Sequence, residues 1–427
     1  MKLRQLVGLF LALAMIATAC GSGSDGDSDS TATDTGSSDT ADTSADADEP
    51  AEPAAPAAGI DLDAIMGADL DNCAAAPSGD AIKVGMVMDF SEAAGFVDIP
   101  GSKLVPYVAE LANCAGGING QPVEVRVAEA GTDAALATQE LIDWGAHFFV
   151  GPPFADATLP MQQTGDGQYA IFAAASTEPT LADADSNTFL VTFDDFGQSE
   201  ASAEYALSQG LTRAIVFTEG EGVPYSGVNP DAFVAAFTAG GGEIVSTQTY
   251  AWFVDTDFSS QVNDIATVAD GTEVVFSAAA AFQVTALRAQ LEGQGLDGLT
   301  YMGTDAMDAT GVQFETGGEG MIHTPHTIIA AGGANDMLFQ QAIAAGVELD
   351  SLGFMPLYVD SMLLGIQGIL DCGCTEPSGI AEAVKNISGF EGTSGTITYA
   401  GTNGIPDKAV PIAQVQGGEN VLLTEIG

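Results

Sequence analysis

Hydrophobic positions along this chain follow two alternating periods, one typical of strands and one of helices. The apolar run Ile82–Met88 predicts a buried strand, helical spacing at residues 104–115 predicts a helix, and alternation at residues 123–127 predicts a half-buried strand. Between the helix and the second strand, Gly116-Gly117 and Asn119-Gly120 supply the conformations that end a helix and reverse the chain. This order is one βαβ unit.

The same order continues along the chain. Helical spacing recurs at residues 133–144, 198–209, 231–239, 257–268 and 283–294, and strand patterns occur at 146–150, 169–172, 213–218, 243–250, 273–277 and 300–302. Alternating strands and helices indicate parallel sheets covered by helices. Because the pattern restarts after a break, we predict two doubly wound parallel-sheet α/β lobes. Ligands bind beyond the carboxyl ends of such strands, so the expected site is the cleft between the lobes.

The first 58 residues have a different character. A basic start and an apolar run at residues 6–19, too short for a spanning helix, lead through Ala17-Thr18-Ala19 to Cys20. This looks like a bacterial lipoprotein signal, with residues 1–19 removed and lipid attached to Cys20. A plain secretory signal with an incidental cysteine is the alternative. Residues 20–58 are rich in Ser, Thr, Asp and Gly, then in Pro and Ala, which predicts a disordered acidic tether.

The charge balance limits the partners. The 427 residues carry 9 Lys and Arg against 59 Asp and Glu, for a formal charge of −50. Such a surface repels nucleic acid and anionic lipid headgroups, so nucleic-acid binding is not expected and membrane association is expected only through the N-terminal lipid. Acidity could keep an extracellular protein soluble in a saline habitat. Electrostatic steering of a cationic ligand is the alternative.

The cysteines predict disulfides. Apart from Cys20, four cysteines remain in a chain predicted to be exported. The favoured pairs are Cys73 with Cys114 and Cys372 with Cys374, although the short Cys-Gly-Cys ring leaves a reduced second pair open. Zinc binding is the weaker alternative, because no second Cys/His pair has ligand spacing. No metal or cofactor is predicted.

Catalytic patterns are sparse. His147 lies in an apolar strand and is assigned to the core, while His323 and His326 flank Thr324-Pro325, where proline prevents a helix that would direct both at one metal. The sequence contains no GxSxG, HExxH or GxxxxGK[ST] pattern. Its glycine-rich segments follow helices rather than precede them, which disfavours a nucleotide enzyme.

Several motifs occur in the order and spacing of one family. They are Ile82-Lys-Val-Gly85, Ala115-Gly-Gly-Ile-Asn-Gly120, Phe149-Val-Gly-Pro152, Ser176-Thr-Glu-Pro179, Asp255-Thr-Asp-Phe-Ser259 and residues 296–303. Over residues 82–427 the chain resembles the branched-chain-amino-acid type of ABC transporter substrate-binding lipoprotein, which has the type I periplasmic binding fold. The resemblance implies two lobes joined by three crossover strands, near Asp195, Met321 and Ile412. The domains expected are a lead-in segment (59–81), lobe 1 (82–195 plus 322–412) and lobe 2 (196–321 plus 413–427).

The resemblance also implies a function. It predicts a monomeric receptor, lipid-anchored outside the cytoplasmic membrane, that closes on a small solute by hinge motion and is recognised by permease and ATPase subunits. Two other classes remain open. One is a ligand-sensing ectodomain of the same fold that acts with a separate signalling partner. The other is an exported α/β enzyme, which the missing nucleophile–base pair disfavours.

Some ligand contacts are implied by position. Phe96, in the loop after the first strand, would cover the ligand, with a core role as the alternative. Thr177 and the backbone of Ala175 would hold the α-groups of an amino acid, and Thr177 could also cap a helix. Tyr225 would supply an aromatic ring from the second lobe.

Acidic residues and departures from the family pattern set the expected ligand class. Asp195 and Asp305 match acidic positions that receive an ammonium through charge-assisted hydrogen bonds, with a solvated or capping role as the alternative. Where the family has a serine hydroxyl this chain has Ala155, followed by Asp156, and where tyrosines follow a strand it has alanines at residues 278–281. These changes predict a larger pocket, and the carboxylates favour an amine or amide donor over a polyanion.

Overall fold

Two β-sheets organise the described part of the chain. The computed structural model describes residues 59–427, except for 75, 92–93, 132, 183–185 and 221–223. The predicted signal segment 1–19, the lipidation at Cys20 and the tether 20–58 lie outside the described residues.

The first sheet has five parallel strands in the order β2-β1-β3-β4-β5. The strands are β1 (Ile82–Met88), β2 (Val123–Glu129), β3 (Phe148–Gly151), β4 (Ile171–Ala173) and β5 (Thr188–Leu190). The helices before and between them are α1 (Leu62–Met66), α2 (Gly95–Cys114), α3 (Ala134–Trp144) and α4 (Ala155–Gly165). This is the doubly wound pattern predicted from the alternating periods.

The second sheet has seven strands in the order β14-β13-β10-β9-β8-β6-β7. Its strands are β6 (Arg213–Glu219), β7 (Glu243–Tyr250), β8 (Val274–Ser277), β9 (Thr300–Gly303), β10 (Ile322–His323), β13 (Val410–Gln416) and β14 (Glu419–Ile426), while β11 (Phe390–Gly392) and β12 (Gly395–Ile397) form a separate hairpin. The remaining helices are α5 (Asp195–Ser208), α6 (Pro224–Ala239), α7 (Ser259–Ile265), α8 (Ala281–Gly293), α9 (Asp305–Ala309), α10 (Ala334–Ala344), α11 (Met355–Cys372) and α12 (Pro377–Val384).

One edge of the second sheet differs from the all-parallel prediction. Strand β13 runs antiparallel to both β10 and β14. Gly417 and Gly418, at φ 64° and 83°, form the two-residue turn that joins β13 to β14. A turn this short closes a hairpin, and hairpin strands are antiparallel. The sheet is therefore mixed at this edge and parallel elsewhere.

Helix α2 begins earlier than its pattern predicts. Phe96 was expected in a loop, but it lies in the first turn of α2. Gly95, Pro100 and Pro106 all disfavour helix, so the sequence pattern does not predict a helical turn here. The buried carboxylate of Asp98 accepts hydrogen bonds from the backbone of Asp89 and from the Tyr358 hydroxyl, and these distant contacts hold the turn.

The first sheet packs against the helix α11, which comes from the last third of the chain. The main apolar core joins residues of β1, α2 and β3 to residues of α11 and α12. Within the described residues, Leu352–Cys372 is the one helical stretch long and apolar enough to cross a membrane, and 89% of its most apolar window is buried inside the protein. That burial is typical of a core helix.

The described part of the chain contains two disulfides. Cys73 is bonded to Cys114, which ties the lead-in segment to the end of α2, and Cys372 is bonded to Cys374 just after α11. The first bond spans 41 residues. By loop entropy, a bond closing a loop of that length stabilises a fold by about 4 kcal/mol.

Candidate functional site

Four of the predicted ligand-binding residues lie in one buried cluster. Thr177 lies in the loop between β4 and β5 of the first sheet, while Tyr225 and Asp305 lie in the first turns of α6 and α9, which follow strands of the second sheet. Asp195 begins α5, between the two sheets, and its backbone N–H donates to the carbonyl of Thr177 at 2.8 Å. The site therefore lies where the chain passes from one sheet to the other.

Neither aspartate serves as a helix cap. Asp194 is the N-cap of α5 and accepts from the backbone N–H of Gly197 at 2.7 Å, whereas Asp195 is 2% exposed. Thr304 occupies the N-cap position of α9, and Asp305 is 6% exposed. A carboxyl group is rarely buried without partners, so the surroundings of these two groups decide their chemistry.

Asp305 is surrounded by donors. The Tyr225 hydroxyl donates to Asp305 Oδ1 at 2.5 Å, and His326 Nε2 lies 3.3 Å from Oδ2. The backbone N–H of Asp305 donates to Gln198 Oε1 at 3.2 Å. Burial by itself would raise the pKa of Asp305, but the contacts from His326 and Tyr225 outweigh it and hold the pKa below its ordinary value. Asp305 is therefore ionised at neutral pH.

Asp195 has the opposite character. Gln198 Nε2 donates to Asp195 Oδ1 at 3.2 Å, and Thr177 and Asn229 also hydrogen-bond to its carboxyl group. Burial dominates and, with the nearby charge of Asp305, raises the pKa of Asp195 to about 8. At neutral pH the pair therefore holds one negative charge and one transferable proton.

Apart from the His326 ring, no cationic side chain of the described residues contacts this charge. The lysine and arginine side chains of the described residues all contact groups elsewhere, at Lys83, Lys103, Arg126, Arg213, Arg288, Lys385 and Lys408. Gln198 instead organises the cluster, since its Oε1 also accepts from the Thr324 hydroxyl at 2.9 Å. A buried carboxylate with no lysine or arginine beside it can accept a ligand ammonium through charge-assisted hydrogen bonds.

His326 also belongs to this site, although the sequence pattern around it did not predict this. Its Nδ1 lies 2.9 Å from the Thr192 hydroxyl, and its ring stacks on Phe193 and meets Phe354 edge-on. His323, on the other side of Thr324-Pro325, faces Asn420 at 3.0 Å, so the two histidines have different partners. The position of His326 beside a predicted crossover segment was a signal that it could belong to the site. Its contact with Asp305 depends on the order of the strands in the sheet.

The remaining predicted site residues lie outside the cluster. Phe96 is 40% exposed at the start of α2, and Ala155 packs, partly buried, at the start of α4. Asp156 is exposed, and no hydrogen bond or ion pair joins it to the cluster within the described residues. Ala175 is buried two residues before Thr177. The ligand contacts of these four residues stay predictions.

A group of aromatic residues was also missed. Trp252 lies after β7, its ring centroid 6.0 Å from that of Tyr225, and its indole N–H donates to the carbonyl of Ala278 at 3.1 Å. The alanines at residues 278–281 are buried. Trp252 therefore lies against the first of these alanines, and the larger pocket expected at residues 278–281 stays a prediction.

A cavity next to α5 lies on another face of that helix. Its volume is about 830 Å³, and its lining includes Glu200, Lys408 and Leu423. None of the predicted ligand-binding residues lines it. The cluster around Gln198 is the better candidate, because it holds the buried carboxyl pair.

Two sheets that meet at a polar cluster fit the α/β fold of type I periplasmic binding proteins. The chain belongs to the periplasmic binding protein family, which it matches over residues 81–420. The predicted type I periplasmic binding fold is thereby confirmed. None of the curated proteins matches the sequence.

Solved structures share the fold at low sequence identity. A leucine-binding protein LivK from Thermotoga maritima is 20% identical with a TM-score of 0.65, covering 81% of this chain and 99% of its own. LivJ from Streptococcus pneumoniae, in complex with isoleucine, is 19% identical with a TM-score of 0.64, covering 81% and 99%. A solute-binding protein of an R. palustris ABC transporter, in complex with benzoate, is 19% identical with a TM-score of 0.63, covering 81% and 96%.

Proposed function

We propose that this protein is an extracytoplasmic receptor that captures a small polar solute and delivers it to an ABC importer. The solute carries an amine or amide, as in an amino acid, an amide or a related compound. One observation carries the proposal: Thr177, Asp195, Tyr225 and Asp305 meet in a buried cluster between the two sheets. Membership in the periplasmic binding protein family supports the receptor role.

The electrostatics of the cluster favour an ammonium over a carboxylate ligand. Asp305 is ionised, and the described residues supply no lysine or arginine to the site. An anion placed beside Asp305 would lose its hydration without gaining a counter-ion, which is unfavourable in a buried site. Isoleucine and benzoate, the ligands of two similar structures, should therefore behave differently with this protein. Isoleucine offers an ammonium to the site, and benzoate does not.

The roles of individual residues follow from position. In this proposal Thr177 and the backbone of Ala175 hold the polar end of the ligand, and Asp195 and Asp305 receive its ammonium. Phe96, Ala155 and Asp156 belong to lobe 1, as Thr177 does, and they approach a ligand held by the second-lobe residues Tyr225 and Asp305 when the lobes close by hinge motion.

The receptor acts without chemical conversion of its ligand. In the proposed cycle the closed form is recognised by the permease and ATPase subunits, and the lipid on Cys20 holds a monomer at the outer face of the cytoplasmic membrane. In this proposal the two lobes comprise residues 82–195 plus 322–412 and residues 196–321 plus 413–427.

A binding experiment tests the proposal. In a thermal-shift screen of the purified mature protein, leucine, isoleucine and small alkylamines should raise the melting temperature, and benzoate should not. Binding at a hundredfold excess over Kd stabilises the native state by about 2.7 kcal/mol. A screen in which only anions raise the melting temperature would contradict the ligand class.

Thr177→Ala tests the site itself. The threonine hydroxyl bonds to Asp195, so its loss should abolish the shift produced by the ligand while the unliganded protein stays folded. The matched control is Thr180→Ala, an exposed threonine three residues away that bonds to Glu178. An undiminished shift in Thr177→Ala would remove this residue from the site.

A further inference from the structure

Aromatic rings form a continuous row that leads away from Asp305. Tyr225, which bonds to Asp305, lies 6.0 Å from Trp252 by ring centroids. Trp252 meets Phe253 edge-on at 4.5 Å, and Phe253 meets Phe282 at 5.7 Å in the same manner. We call Trp252, Phe253 and Phe282 the aromatic wall. No prediction from the sequence included it.

The loop that carries the wall is held in place by one buried side chain. Gln283 accepts from the backbone N–H of Phe253 at 3.1 Å and donates to the carbonyls of Ala251 and Asp255, at 3.1 and 3.0 Å. Asp255 also accepts from the backbone N–H of Ala251 at 2.8 Å. Because these bonds fix both ends of the loop, the rings are preorganised and lose little freedom when a ligand binds.

Phe253 does not have the properties of a core residue. Its φ is 59°, in the left-handed region that bulky residues rarely adopt, and its side chain is 49% exposed. A phenyl ring that is half exposed contributes little to the stability of the fold. The left-handed backbone conformation of Phe253 lowers that stability. A ligand that covers the ring would account for both features.

We propose that the aromatic wall selects an ammonium ligand that carries an aromatic ring. The ammonium binds the carboxyl pair, and the ring packs on Trp252 and Phe253. Aromatic faces attract cations and pack edge-to-face with other rings, so the wall and the ionised Asp305 complement the two ends of one molecule. This inference rests on the proposed receptor function and names the class of its ligand.

Titration calorimetry on the purified mature protein tests the ligand class with 2-phenylethylammonium, and with propylammonium as the probe that lacks the ring. The aromatic amine should bind about tenfold more tightly, the effect expected of one aromatic contact. Phe253→Gly should remove this preference by weakening the binding of 2-phenylethylammonium. Glycine adopts the left-handed conformation freely, so this variant should fold. Phe253→Tyr retains a ring and should retain the preference.

Phe314→Ala is the control for loss of an exposed phenyl ring. Phe314 is 81% exposed and is not part of the wall, so its removal should alter neither affinity. Equal affinities for the two amines, or a preference that persists in Phe253→Gly, would contradict the proposed role of the aromatic wall. Neither result would contradict the receptor proposal. Binding of benzoate with no binding of either amine would overturn both.

Discussion

Two neighbouring carboxyl groups of this protein differ because their hydrogen-bond partners differ. Asp195 and Asp305 are both buried, so desolvation acts on each in the same direction. Asp305 receives the Tyr225 hydroxyl and the His326 ring, which outweigh that effect, while the amide and hydroxyl partners of Asp195 do not. One carboxylate is therefore charged in the absence of ligand, and the other holds a proton that an ammonium would displace.

The protonated Asp195 makes binding of an amine pH-dependent. Its pKa is about 8 in the unliganded protein, and an adjacent ammonium favours the charged form. Affinity should therefore rise with pH by up to about tenfold per unit until roughly pH 8, with release of a proton. Calorimetry at pH 6 and pH 8, in buffers of different ionisation enthalpy, measures both quantities. Asp195→Asn should abolish the pH dependence, and an unchanged slope in that variant would assign the proton elsewhere.

At the scale of elements, the packing of α11 on the first sheet is set by close approach. A Cβ atom added at Gly365 would lie 2.2 Å from the ring of Phe148, a fully buried side chain of β3. Interiors are packed too tightly to accept such an overlap without displacement. Gly365 thus lets a helix from the end of the chain lie against a strand near its beginning.

Gly365→Ala should destabilise the protein by about 1–3 kcal/mol, since the core must shift to admit a methyl group. The matched control is Gly293→Ala near the end of α8, where no atom lies within 4 Å of the added Cβ. There alanine should leave stability unchanged or raise it by up to about 1 kcal/mol through helix propensity. Urea denaturation monitored by circular dichroism measures both, and equal effects would refute close packing at Gly365.

At the scale of the whole molecule, buried acids work against stability at neutral pH. Burial raises the pKa of Asp98 to about 8, that of Asp195 to about 8 and that of Asp308 to about 7. A group whose pKa is higher in the folded state contributes stability at low pH and loses it as the pH rises through the folded pKa. The formal charge of −50 adds repulsion in the same direction.

The unliganded protein should therefore become less stable as the pH rises from about 4 to 8. Melting temperatures across this range measure the trend. Asp98→Asn should make it shallower, because the amide cannot ionise beside Tyr358. Asp231→Asn, at an exposed position on α6, should leave it unchanged. A melting temperature that rises toward pH 8 would contradict the burial of these acids.

The sequence by itself determined the parts of this protein that depend on local periodicity. Alternating strand and helix patterns specify the βαβ units, and the helix predicted at residues 133–144 and the strand at 243–250 are present as α3 and β7. In a strand or a helix with one buried face, apolar side chains recur about every two or every 3.6 residues. Residues close together in the sequence are enough to specify such a repeat. The family resemblance added positions such as Thr177 and Asp305, which lie on opposite sides of the cluster.

Tertiary structure decided the contacts between distant segments. Thr324 meets Gln198 across 126 positions, and Tyr225 meets Asp305 across 80. The aromatic wall likewise joins rings from the loop after β7 and from α8. Such pairs form only when strand order and crossover segments bring the ends of different elements together, and local periodicity carries no information about that order. For that reason the sequence indicated the two lobes, while the partners of the buried carboxyl groups emerged only in the folded chain.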